Sequence, residues 1–136
     1  MIAENIAQQW LDDCCKTIEQ YDHAAHMNLI SKDIQVLGVP GFDVIGYADW
    51  HSQCEYEFNE KLIANTSYQG LKVHQDNDSE ITFLTNETIH TSDGTVDTHA
   101  IEVVLTLETD GQWRVTRERL LSSEEASLAG LSAVEQ

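Results

Sequence analysis

The chain is short of positive charge. Its 136 residues carry 7 Lys and Arg against 24 Asp and Glu, a net charge of -17. Such a surface repels polyanions, so neither nucleic acid nor an anionic membrane surface is expected as a partner. There is one proline, Pro40, and no apolar run near the roughly 20 residues that a membrane-crossing helix needs. Three cysteines, Cys14, Cys15 and Cys54, are odd in number and two are adjacent. They build neither a disulfide framework nor a Cys-x-x-Cys zinc site. Met1-Ile2-Ala3-Glu4-Asn5 lacks the basic and apolar regions of a secretory leader, and a cytoplasmic location is expected. No glycine-rich phosphate loop, dinucleotide fingerprint or nucleophile motif occurs, so no cofactor is expected.

What remains is the composition of one folded domain over residues 1–136, 41% hydrophobic and 23% charged. Ile6, Trp10, Cys14, Ile18 and Tyr21 form an apolar stripe on a helix over 4–20. A short second helix is predicted from Asp22, as N-cap, to Leu29. Ser31-Lys32-Asp33 breaks the pattern before a strand at Ile34–Val39, which Gly38, Pro40 and Gly41 end. Tyr47, Trp50, Cys54, Phe58 and Leu62 return to helical spacing over 46–63. Four strands follow at about 67–75, 80–91, 95–108 and 112–121, separated by turn-forming Asp, Asn, Ser and Gly. In the tail, 122–136, Ser122-Ser123-Glu124-Glu125 is a capping-box pattern that predicts a short terminal helix.

The hydrophobic pattern selects the strand register. A three-residue loop at Ser92-Asp93-Gly94 pairs Glu87 with His99, Phe83 with Val103 and Ile81 with Leu105, uniting the apolar positions on one face. The same logic at Thr109-Asp110-Gly111 pairs Val103 with Arg117 and Ile101 with Arg119. The inner face then has an apolar end and a polar end carrying Glu87, Asp97, His99, Arg117 and Arg119. The outer face offers Leu84, Ala100 and Val104 among threonines, a surface suited to a homodimer.

The order helix, helix, strand, Pro-Gly loop, helix and meander is one familiar feature. The Gly46-Tyr47-Ala48-Asp49-Trp50 helix start and the Asp110-Gly111-Gln112-Trp113-Arg114-Val115 strand opening are others. Together they resemble the nuclear transport factor 2-like superfamily in its SnoaL-like branch, from Ile6 to Leu121. The resemblance implies an α+β, cystatin-like cone: a curved, mostly antiparallel sheet wrapped around N-terminal helices, with a pocket between them and frequent dimerisation. The superfamily spans ketosteroid isomerase, scytalone dehydratase, limonene epoxide hydrolase, polyketide cyclases and binding proteins, so it does not fix function. This chain departs from the isomerase pattern, with Gly38-Val39-Pro40 in place of the base Asp and Val103 in place of the neutral acid. Glu87, Asp97 and Arg119 share the hydrolase's composition but not its spacing.

The candidate catalytic residues are His99 as base, Glu87 as its orienter and Arg119 as anion stabiliser. A structural ion pair at the sheet rim is the plainer reading. Trp10, Tyr21, His26, Trp50, Phe58, Asp97 and Arg117 are candidates for ligand contact, the aromatic ones serving equally as core. His23 and His26 have metal-chelating spacing but no third ligand in sequence, and no metal site is expected. The leading expectation is a protein binding a small hydrophobic or acidic ligand. The alternatives are a cofactor-independent isomerase, dehydratase, cyclase or epoxide hydrolase, and a structural dimerisation module with a closed pocket.

Overall fold

The computed structural model describes residues 2–131. The chain runs α1 (Ala3–Glu19), α2 (His23–Met27), β1 (Ile30–Leu37), α3 (Tyr47–Asn59), β2 (Ile63–Asp76), β3 (Glu80–Thr91), β4 (Val96–Leu107), β5 (Trp113–Leu120) and α4 (Ser123–Leu128). One sheet of order β1-β5-β4-β3-β2 packs its concave face on the helices. β1 pairs parallel with β5 and every other pair is antiparallel. This is the expected α+β cone.

α1 buries Ala3, Ala7, Trp10, Leu11, Cys14, Thr17 and Ile18. It stops before Tyr21, which adopts φ 53° while the Asp22 N–H bonds the Thr17 carbonyl at 2.9 Å. That left-handed turn closes the helix and swings Tyr21 off the stripe. Asp22 caps α2 as expected, accepting from the Ala25 N–H at 3.1 Å. Ser122 and Glu125 complete the expected capping box of α4. The part of the tail from residue 132 onward lies outside the described residues.

β1 starts four residues before the expected Ile34, taking in Ser31-Lys32-Asp33. Ser31 is buried, donates to Glu108 Oε2 at 2.7 Å and accepts the Asp33 N–H at 3.0 Å. The ladder with β5 is irregular between Ile30 and Gln35, which accommodates this polar stretch. β2 also begins early, at Ile63, as a bulged edge strand with three register shifts.

The β3–β4 hairpin has the expected register, with Glu87 opposite His99, Phe83 opposite Val103 and Ile81 opposite Leu105. Its three-residue loop closes through Thr91 N–H to the Thr95 carbonyl at 2.9 Å, with Gly94 at φ 92°. The β4–β5 pair begins in the expected register at Leu107–Trp113 and Leu105–Val115. It then takes in one extra residue, Thr116. Beyond this bulge Val103 faces Glu118, not Arg117, and Ile101 faces Leu120, not Arg119. Side chains alternate along a strand, so one extra residue exchanges the two faces.

The core is the concave face. Ile81, Phe83, Val103, Leu105 and Val115 are fully buried there, and Trp10 packs edge-on against Phe83 with ring centroids 6.4 Å apart. A smaller cluster lies on the opposite face, where Leu131, Ala126 and Ala129 cover Leu84 and Ala100. The tail therefore occupies part of the surface that the sequence offers to a partner.

Phe83→Ala is expected to destabilise the chain by about 3–5 kcal/mol, the usual cost of emptying a buried aromatic site. Urea unfolding measures it. A loss under 1 kcal/mol would mean that the face is not the packed core.

Candidate functional site

Tyr68, Glu87 and His99 stand side by side on the concave face, one each on β2, β3 and β4. The Tyr68 hydroxyl donates to Glu87 Oε2 at 2.9 Å, and the His99 Nε2–H donates to Glu87 Oε1 at 2.9 Å. Both carboxylate oxygens of Glu87 are thus engaged. His99 Nδ1 lies 3.6 Å from Asp97 Oδ2. Exposure falls inward along this row, from 68% at the Asp97 side chain to 23% at His99 and 15% at Glu87. The Glu87 hydrogen bond raises the His99 pKa above its ordinary value, against desolvation, with Asp97 assisting. Burial and the Glu87 charge push the Tyr68 phenol well up, so it serves as a donor.

The bulge at Thr116 adds a residue that sequence reasoning missed. Glu118 sits on the concave face between Val36 of β1 and Val103 of β4, both buried. Among the described residues no hydrogen bond or ion pair holds its carboxyl. Glu118 is half-buried; desolvation first, then the charge of Glu87, push its pKa up to about 8. The charge of Glu118 contributes to raising the Cys14, Cys54 and Tyr68 pKa values, after burial. In the sequence Glu118 alternates with Arg117 and Arg119, and a regular strand would turn it outward.

The same bulge overturns the expected placement of both arginines. Arg117 is exposed on the outer face, lining a groove of about 420 Å³ with Gln35, Glu80, Glu102 and Val104. Arg119 also faces outward, donating to Glu102 Oε1 at 3.3 Å and to Glu125 Oε2 at 2.8 Å. Neither can stabilise an anion inside the cone. The physical reason is that a guanidinium cannot shed its charge on burial, whereas a carboxyl can take a proton.

The other candidates scatter. Trp10 is buried and spends its indole N–H on the Leu29 carbonyl at 3.1 Å. His26 is buried, its Nδ1 paired with the Thr17 hydroxyl at 3.0 Å, and packs 5.5 Å from the Phe58 ring. Phe58 is buried, Trp50 half-buried at the core margin, and Tyr21 half-buried beneath the Lys61 ammonium. A separate concavity of about 930 Å³ is lined by His23, Tyr47, His51, Glu108 and Arg114 among others, and by none of Tyr68, Glu87, His99 or Glu118. Arg114 is tied there to Glu108, Asp110 and Asn28. Among the described residues no three His, Cys, Asp or Glu side chains gather to hold a metal ion.

One buried and one half-buried group set opposite pH limits. Burial lowers the His26 pKa to about 4, so stability present above the ordinary value of 6.5 is lost as the pH falls toward 4. Glu118 acts in the other direction: its raised pKa means stability is lost as pH rises from 4.5 through 8. Glu118→Gln removes the alkaline loss. The parent should weaken relative to the variant by up to about 1.4 kcal/mol per pH unit across that window. Chemical denaturation of both proteins from pH 5 to 9 measures it; parallel curves would show that Glu118 titrates normally.

No protein-family model matches the sequence, and no curated protein matches it. Solved structures do match in backbone shape. A nuclear transport factor 2-like protein of Cytophaga hutchinsonii aligns with TM-score 0.71 at 13% identity, over 90% of this chain and 99% of that one. ActVI-ORFA of Streptomyces coelicolor aligns with TM-score 0.67 at 13% identity, over 86% and 94%. A candidate scytalone dehydratase of Novosphingobium aromaticivorans aligns with TM-score 0.66 at 14% identity, over 85% and 80%. At such identities the likeness shows the fold, which is nuclear transport factor 2-like.

Proposed function

We propose that this nuclear transport factor 2-like chain, of the SnoaL-like kind, binds a small molecule inside its cone. The Tyr68–Glu87–His99 row and Glu118 form the polar end of the site. One observation carries the reading: Glu118, with no hydrogen-bond partner among the described residues, shares the concave face with the Tyr68–Glu87–His99 row beside the apolar core. An unpaired polar group there costs stability, and a ligand that hydrogen-bonds it recovers that cost. The expectation of an acidic ligand rested on Arg117 and Arg119 facing inward and falls with their placement. The site is acid-rich and disfavours anions.

The second reading is a cofactor-independent enzyme of the dehydratase or cyclase type. It is supported by two carboxyl groups in one concave site, one with its pKa raised to about 8 and the other clamped to a histidine. In that reading Glu118 donates a proton and His99, oriented by Glu87, accepts one. The name of the candidate scytalone dehydratase structure accords with it. A cytoplasmic homodimer remains part of the proposal. It would use the outer face around Thr82, Val104 and Thr116, apart from the Leu84–Ala100 patch that Ala126, Ala129 and Leu131 cover.

A thermal-shift screen of small aromatic and terpenoid alcohols, ketones and amines tests binding. A hit should lose about tenfold or more in affinity in His99→Ala, about 1.4 kcal/mol or above. Hits unaffected by His99→Ala would place binding elsewhere. Turnover of the hit, absent in Glu118→Gln, would mark the enzyme. For assembly, sedimentation equilibrium at tens of micromolar should give twice the chain mass of 15.3 kDa. A monomer at that concentration counts against the dimer.

A further inference from the structure

The concavity of about 930 Å³ beside α2 is lined by two unlike sets of side chains. α2 and α3 supply rings. His23 and His51 meet edge-on with centroids 4.5 Å apart, and Tyr47 follows His51 at 6.2 Å. The His23 Nε2–H donates to the His51 carbonyl at 3.1 Å, which ties the two helices together. All three rings are half-buried, so each keeps part of its surface open to the concavity. Met27 and Ile30 add buried apolar lining. The second set is Glu108, Asp110 and Arg114, and its hydrogen bonds are spent internally. Arg114 gives its Nε–H to the Asn28 carbonyl, Nη1 to Glu108 and Asp110, and Nη2 to the Asn28 side chain, with Asp110 Oδ2 2.9 Å from Nη2. Glu108 takes Arg114 on one oxygen and the Ser31 hydroxyl on the other. Two carboxylates against one guanidinium leave this set net negative, and Lys32 and Asp33 in the same lining cancel.

We infer that this concavity binds a quaternary ammonium ion, seated against Tyr47 and the two imidazoles. A cation is drawn to the ring faces and to the residual negative charge. An anion finds no N–H left over on Arg114. A primary ammonium must replace the water on three N–H groups, and the carboxylate oxygens are already engaged. A quaternary ammonium has no N–H to satisfy, so it takes the attraction without that cost. The site is separate from the cone interior: none of Tyr68, Glu87, His99 or Glu118 lines it. His23 and His51 are the titratable groups among the rings, and a protonated imidazole there repels the ligand. Affinity is therefore read at pH 8, above the ordinary imidazole range.

Choline, its neutral carbon isostere 3,3-dimethylbutan-1-ol, and ethanolamine separate the cases. In a nuclear magnetic resonance titration at pH 8, choline should bind about fivefold or more tighter than either of the others. It should shift the resonances of Tyr47, His51 and Leu107. This comparison is made on the parent protein and needs no variant. Tyr47→Leu, which keeps an apolar side chain but removes the ring, should abolish the advantage of choline over the alcohol, and His51→Leu should reduce it. Equal affinity for choline and the alcohol, ethanolamine binding as tightly as choline, or a choline preference undiminished in both variants each overturns the inference. So does the absence of any shift with choline, which leaves the interior reading intact. Shifts confined to Tyr68, Glu87 and His99 overturn this site and support the interior one.

Discussion

Between Leu105 and Val104 the β4–β5 ladder takes in one extra residue, and the chemistry of the concave face follows from it. Thr116 and Arg117 together oppose Val104, and from there the alternation of β5 is reversed. Thr116 is held on the outer side by its hydroxyl contact with Thr106 at 2.8 Å. Without the bulge two guanidinium groups would point into a face lined by Phe83, Val103 and Ile101. A guanidinium stays charged at any ordinary pH, and burying one without a partner costs several kcal/mol or more. With the bulge the inward residues are Leu120, which suits the core, and Glu118, whose carboxyl can take a proton. The arrangement trades two charges that cannot be discharged for one that can.

The polar interior is organised around Glu87. Its two oxygens take a phenol from β2 and an imidazole from β4, tying three adjacent strands together by side chains as well as by their ladders. Its negative charge also raises Glu118, Tyr68 and Cys14. Removing one partner of such a buried network leaves the others unsatisfied, so its members stand or fall together. His26 shows the other solution for a buried titratable group: it pairs with a hydroxyl, Thr17, and remains neutral.

The outer face is governed by the tail. Arg119 bridges Glu102 on β4 and Glu125 on α4, and Asn86 Nδ2 donates to the Leu131 carbonyl at 3.3 Å. These contacts hold Leu131 over Leu84 and Ala100. The arginine that the bulge turns outward thus fastens the segment that shields the apolar part of the sheet. Arg117, on the same face but beyond the tail, lines an open polar groove instead. One irregularity in β5 accordingly sets the chemistry of both faces of the sheet.

Most of the architecture was legible in the sequence because local patterns and global packing agree there. The stripe of α1, the caps Asp22 and Ser122, and the register of the β3–β4 hairpin all follow from periodicity and turn chemistry. That register alone brings Glu87 and His99 together. Polar stretches that the strands absorb were not legible, because Ser31 accepts the Asp33 N–H and donates to the distant Glu108 in a conformation no periodicity predicts. Nor was the bulge. Thr116 is an ordinary strand residue between ordinary strand residues, and nothing local marks it as extra. By itself the sequence determined that one hairpin would present a carboxylate and an imidazole to an apolar face. Only the tertiary structure decided which of Arg117, Glu118 and Arg119 joins them, because that choice depends on comparing the cost of burying a permanent charge with that of burying one a proton can cancel.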